Sequence, residues 1–276
     1  MSRRVTVVLS GGGAKATAHL GAIRALRGAG LEPARYVGTS MGAVVGAALA
    51  AGLTAEAVFE RARGIRRRDV ARLSATSLVQ GLFAASLLQP EPLLRTIERF
   101  LPVASFANLR TPLTVTAVDL DSGELILFGD GGFDVPLLTA VSASTALPLW
   151  YPPVVWEGRR LADGGFRGVL PLAAAARFEA DLVVAVDAGP GLDSIPTEGR
   201  MAPPALIRTH NDAVGVLMAM NTELELANWG LTAGRPPLIY VRPTVEKGAT
   251  FAVQEMARYE EAGYQAAVAA LAEWGG

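Results

Sequence analysis

Several short apolar runs, each delivering the chain into a turn or a helix, constrain this fold more than any other feature. "VTVVL" at 5–9 and "DLVVAVDAG" at 181–189 carry apolar residues at successive positions, not at alternate ones. Successive side chains of a strand point to opposite faces, so such strands are buried on both sides. Further strands are expected at 34–38, 112–120, 124–128 and 237–243, with a hairpin across "EGR" joining 154–156 to 159–162. Helical patterns occupy 15–30, 39–53, 54–63, 91–100, 135–147, 205–230 and 251–274, so strands and helices alternate. The pattern predicts an α/β fold: a mostly parallel central sheet with helices on both faces, in three α/β/α layers. The 276 residues suit one domain, read as 1–276. No internal repeat and no heptad pattern stands out, and 189–204 reads as a loop.

Composition removes several function classes. Hydrophobic residues make up 51% of the chain, but alanine supplies much of that. The longest uninterrupted run, "AVVGAALAAGL" from Ala43, has 11 residues; a membrane-spanning helix needs about 20. Arg3 and Arg4 precede an apolar stretch too short for a signal-peptide core, so a cytoplasmic location is expected. With no cysteine, there are no disulfides, thiolate nucleophiles or cysteine metal sites, and no metal or cofactor is expected. A net charge of −1 exerts no general pull on nucleic acid.

Two glycine-rich turns carry the chemistry. In "SGGGAKATAHLG", Gly11, Gly13 and Ala16 fit the G-x-G-x-x-A spacing of dinucleotide-binding loops. That reading lacks its second anchor, because the next strand ends "VGTSMGA" with no acid to hold a ribose, and Lys15 is not set in a Walker sequence. Gly38-Thr39-Ser40-Met41-Gly42 is G-x-S-x-G between a strand and a helix. A nucleophile on such a turn is strained, and flanking glycines let neighbouring backbone pass. Both loops would leave the same edge of a parallel sheet. The N–H groups of Gly11, Gly12 and Gly13 are then placed to converge on an oxyanion formed at Ser40. Lys15 and Met41 are candidates to support that site, Lys15 either by its charge or simply as a solvated side chain.

A serine needs a base. Of two histidines, His19 reads as a packed residue of the first helix. His210 satisfies the Ser–Asp–His order of a triad with Asp163 or Asp187, but it precedes a further strand. Asp163, in "RRLADGGFRG", ends a strand and is followed by two glycines that free the backbone to approach another loop. Asp119 and Asp187 also end strands.

"GGGAK", "GTSMG", "SASTALPLWYPPV" from Ser142 and "DGG" at Asp163 stand in the order in which the patatin-like phospholipase family carries its oxyanion loop, nucleophile elbow, acid-preceding stretch and acid. The chain resembles that family from residue 5 to about 170. The resemblance implies a Ser40–Asp163 dyad, an oxyanion site at Gly11, Gly12 and Gly13, an acyl-serine intermediate, and a lipid or lysophospholipid substrate. Other readings are a carboxylesterase using His210 and a catalytically weak lipid-binding relative. Ala16 stands where the family has glycine. A positive φ there would strain the loop; a place in the first helical turn would make alanine harmless.

"RARGIRRRDVAR" from Arg61 packs six arginines into 12 residues, either a headgroup-binding surface with peripheral membrane contact or a solvated helix face. The apolar "SLVQGLFAASLLQP" that follows reads as a cap over the site or a core helix. Trp150, Tyr151 and Trp156 are candidate walls of a lipid pocket.

Overall fold

The computed structural model describes residues 3–192, 204–246 and 250–275; most of the loop expected at 189–204 falls outside them. Eight strands form one sheet: β1 (Val5–Leu9), β2 (Pro33–Thr39), β3 (Leu113–Asp119), β4 (Leu125–Gly129), β5 (Val154–Trp156), β6 (Arg159–Asp163), β7 (Leu182–Val186) and β8 (Leu238–Val241). The helices are α1 (Ala18–Gly28), α2 (Met41–Ala50), α3 (Ala55–Arg63), α4 (Arg67–Val70), α5 (Ala75–Gln80), α6 (Pro90–Glu98), α7 (Leu137–Ser144), α8 (Gly165–Gly168), α9 (Leu172–Ala175), α10 (Ala205–Leu231) and α11 (Met256–Trp274). The spatial order is β5-β6-β3-β2-β1-β7-β8, with β4 also paired to β3.

The sheet is parallel from β3 through β8, as the doubly apolar strands require. Beyond β3 it turns antiparallel: short turns join β3 to β4 and β5 to β6, while α7 lies in the longer link from β4 to β5. The β5–β6 hairpin closes on Glu157 and Gly158, both with positive φ, the geometry that matches strand twist.

The period of two sorts the core. Val5, Val7 and Leu9 of β1, and Leu182, Val184 and Val186 of β7, face a large cluster shared with α1, α2, α7 and α11. Val8, Val183 and Ala185 face a smaller cluster closed by Leu170, Leu172 and Trp229 under α9 and α10. Each such side chain fully removed from water contributes about 1.5–3 kcal/mol.

Helix α10 departs from expectation. Only Ala219, Thr222 and Trp229 of its 27 residues are buried. The outer face exposes Leu206, Leu217, Met220, Leu224 and Leu231, which share one four-three spacing interrupted by His210, Ala213 and Ala227. The helix therefore does carry a heptad stripe, hidden in the sequence by alanine and histidine.

Helices α1 and α11 meet at backbone distance. A Cβ on Gly21 would overlap the Glu260 carbonyl, and one on Gly263 the Ala18 carbonyl. Gly263→Ala is expected to push these helices apart and cost about 1–3 kcal/mol, read as a lower midpoint in thermal unfolding.

Candidate active site

Strand β3 brings the two candidate catalytic residues together. Its residue Thr116 pairs with Leu127 of β4 on one edge and Thr39 of β2 on the other. Its next residue, Ala117, pairs with Ile126 of β4 and Asp163 of β6. Strands β2 and β6 therefore lie end to end along one edge of β3, running in opposite directions. Ser40 follows Thr39, and Asp163 ends β6, so the two meet at the seam. There the buried Thr116 hydroxyl shares a 2.6 Å hydrogen bond with that of Thr39. Gly164 lies so close that a Cβ on it would overlap Thr116.

Ser40 sits at φ +54°, ψ −129°, outside the usual regions for an L-residue. Its N–H donates to the buried Ser144 Oγ at the end of α7, 2.8 Å away. The glycines of the elbow serve close approach: a Cβ on Gly38 would meet the Ala43 backbone at 2.8–2.9 Å, and one on Gly42 would overlap the carbonyls of Leu9 and Ser10. Helix α2 begins at Met41 with no side-chain cap, leaving its first N–H groups and positive dipole end facing the serine.

Asp163 is 4% exposed. Burial pushes its carboxyl up to about 6; a hydrogen bond with the Ser40 side chain and another from the Gly165 N–H oppose that rise. The Gly165 bond is 2.8 Å, and Asp163's own N–H is held by the Ala146 carbonyl at 3.1 Å.

The other strand-ending acids and His19 are engaged elsewhere, and His210 lies away from the site. The Asp187 carboxylate takes Arg242 at 2.9 Å, the Tyr240 hydroxyl at 2.8 Å and the Gly189 N–H at 2.9 Å. Asp119 caps a turn through the Asp121 N–H and the Ser122 hydroxyl. His210 lies exposed on the outer face of α10, and among the described residues it bonds neither Ser40 nor Asp163. His19 is fully buried; its Nε2–H donates to the Ser10 carbonyl at 2.9 Å, and burial lowers its pKa to about 4, so it stays neutral.

The glycine loop is bonded on one side and open on the other. Gly11 N–H donates to the Val169 carbonyl at 3.0 Å. Among the described residues no acceptor takes the N–H of Gly12 or Gly13, and Gly13 has a positive φ of 59°. Gly11 instead supplies proximity: a Cβ there would stand 3.2 Å from Ser40 Cβ. Ala16 lies in the 3-10 turn Gly13–Thr17 without a positive φ, so alanine there carries no backbone strain. Lys15 is not solvated. It is 4% exposed, its Nζ reaches the Gly189 carbonyl at 3.4 Å, and burial, then the Arg242 charge, lower its pKa to about 8. Met41 is half-buried at the start of α2.

The profile of the patatin-like phospholipase family matches residues 7–176, which span the glycine loop, the elbow, Ser144 and Asp163. The chain belongs to this family. An uncharacterised NTE family protein of Mycobacterium tuberculosis is 38% identical over 200 residues, covering 71% of this chain and 53% of that protein. The chain thus spans about half the length of that relative. Human patatin-like phospholipase domain-containing protein 6 is 29% identical over 191 residues, 67% of this chain and 13% of that protein. Among solved structures, VipD from Legionella pneumophila shares the fold, with a TM-score of 0.55 at 15% identity over 99% of this chain and 67% of that one.

Within this patatin-like frame, the three aromatic residues near the acid are packing groups. The Tyr151 hydroxyl donates to the Val70 carbonyl, Trp150 meets Phe251 edge-on at 5.2 Å, and Trp156 meets Phe128 and Phe133 at 5.4 and 5.0 Å. Ser144 and Thr116 were not singled out by motif reasoning. The first stands inside "SASTALP", where the two serines were a usable signal; the second is one more threonine in a strand.

The raised carboxyl of Asp163 has a consequence for stability. Its native pKa lies above the unfolded value near 4, so its contribution favours the fold at low pH and is lost as pH rises through about 6. Asp163→Asn removes that cost while keeping an acceptor for the Gly165 N–H. The variant is expected to be more stable than wild type at pH 8, by on the order of 2 kcal/mol, and to lose that advantage at pH 4. Denaturant unfolding at the two pH values measures it.

Proposed function

We propose that the protein is a serine lipid acyl hydrolase of the phospholipase A or lysophospholipase type. The observation that carries this reading is the seam on β3, where a strained serine and a buried carboxylate interact. Asp163 accepts the Ser40 proton as Oγ attacks the ester carbonyl. The carbonyl oxygen gains charge, and the N–H groups of Gly12, Gly13 and Met41 receive it, with the α2 dipole behind them. Asp163 passes the proton to the leaving alcohol, and an acyl-Ser40 intermediate remains. Water, deprotonated by Asp163, then releases the fatty acid. Lys15 holds the glycine loop from behind through Gly189, and His19 holds it through Ser10, whose hydroxyl accepts the Ala188 N–H at 2.8 Å. A lipid substrate comes from the family likeness, and among the described residues no helix is long and apolar enough to cross a membrane.

Ester hydrolysis by purified variants tests the assignment. Ser40→Ala and Asp163→Asn are expected to lower kcat at least a thousand-fold, while His210→Gln retains most of it; a dead His210→Gln protein with intact fold would overturn the dyad. Since the base acts as carboxylate, kcat/KM is expected to fall about ten-fold per pH unit below a midpoint near 6. A pH profile flat between 5 and 8 would remove Asp163 from the role.

A further inference from the structure

The hydrolytic site leaves one segment of unusual chemistry unused: the outer surface of residues 66–83. It consists of α4, a turn, α5 and a 3-10 turn, Gly81–Phe83. Arg66, Arg67, Arg68 and Arg72 are all exposed. Its single acid, Asp69, accepts the Arg66 N–H at 2.9 Å, and among the described residues no carboxylate forms an ion pair with these four arginines. The rest of the arginine cluster is accounted for: Arg61 donates to the Arg99 carbonyl and Arg63 pairs with Glu60. The same segment carries Leu73, Val79 and Phe83, 60%, 89% and 94% exposed. No other large apolar side chain described is as exposed as Phe83. Keeping such a ring in water forgoes its burial, so an exposed apolar tip on a segment rich in unpaired cations marks an interaction surface.

We propose that this segment docks the protein on an anionic lipid bilayer, with Phe83 and Val79 entering the acyl boundary and the four arginines on headgroup phosphates. The inference rests on the hydrolase reading only for its purpose; the surface chemistry stands by itself. An interfacial element combines an apolar edge that reaches below the headgroups with cations that meet the negative surface potential. A nucleic acid would satisfy the arginines but offers no hydrocarbon layer to Phe83 and Val79.

The segment is also tied to the site. The N–H groups of Leu87 and Leu88 donate to the carbonyls of Leu149 and Trp150, both at 2.9 Å, and the Tyr151 hydroxyl donates to Val70. The same loop holds the Asp163 N–H through Ala146, and it follows Ser144, which holds Ser40. The docking segment and the loop that holds Ser40 and Asp163 are thus joined by hydrogen bonds. Between the segment and α6 runs a groove of about 520 Å³ lined by Arg72 and Arg95 with Ser74, Ser77 and Ser86, and one acid, Glu91. It offers cations and hydroxyls suited to a phosphate-bearing headgroup.

Vesicle flotation with the Ser40→Ala protein reads docking without hydrolysis. Binding is expected to vesicles of phosphatidylcholine mixed with phosphatidylglycerol, with little to phosphatidylcholine alone, and to weaken as salt rises. Each arginine near the surface is worth about five-fold in affinity, so Arg67→Glu with Arg68→Glu is expected to lower binding well over ten-fold. Phe83→Asp should do the same, and Phe83→Trp should give blue-shifted emission quenched by brominated acyl chains. In a Ser40 background, the arginine and Phe83 variants keep wild-type turnover of a monomeric soluble ester. Equal binding to neutral and anionic vesicles, an unquenched Trp at position 83, or unchanged binding by the arginine variant would overturn the proposal. Retention on a nucleic acid or heparin matrix without vesicle binding would overturn it too. Docking without any ester turnover by wild type would count against the hydrolase reading alone.

Discussion

One edge of one strand holds the candidate site together. Strand β3 is paired along the same side first by β2 and then, one residue later, by β6 running the other way. Hydrogen bonding along a strand leaves no freedom of register once one face is buried, and every residue of β3 is buried. The end of β2 and the end of β6 are therefore forced to meet. Thr116 marks the meeting point, with its hydroxyl on Thr39 and its backbone against Gly164. Ser40 and Asp163 come from distant parts of the chain, yet neither needs a flexible loop to reach the other.

That junction concentrates costly features. Ser40 keeps a positive φ, Asp163 has no cation partner among the described residues, and α2 starts without a cap. A strained backbone residue alone costs of order 1–3 kcal/mol. The surrounding core offsets this: β1, β2 and β7 are buried on both faces, and α1 lies against α11 at backbone contact. The same features are what an acyl transfer requires, since an aimed hydroxyl, a buried base and open N–H groups need not reorganise during the reaction. The glycine loop follows this logic from behind, with Ser10, His19, Lys15 and Gly189 bonding its back while Gly12 and Gly13 stay open in front.

Much of this was legible before any coordinates. Runs such as "VTVVL" announce strands buried on both faces, and the strand-turn-helix setting of "GTSMG" announces an elbow, because these signals depend on neighbours in sequence. Long-range contacts were not legible. Nothing local tells Thr116 from other strand threonines, or says that Gly11's N–H is taken by Val169 while those of Gly12 and Gly13 are left. Lys15 reads as a surface cation until a fold closes over it. The heptad stripe of α10 is diluted by His210, Ala213 and Ala227, and the aromatic residues after Pro148 look like pocket walls until their neighbours are known.

The sequence by itself determined the fold class, the order of its elements and the two glycine turns, because periodicity and turn chemistry are properties of adjacent residues. It also narrowed the candidate base to three strand-ending aspartates or His210. Only the tertiary structure gives these candidates their different surroundings. Asp187 is paired with Arg242 and Asp119 is spent on a turn, whereas Asp163 is buried beside Ser40 with no cation among the described residues to lower its pKa. A carboxylate's basicity is set by what surrounds it in space, and the chain assembles those surroundings only when β6 adds to the edge that β2 has left.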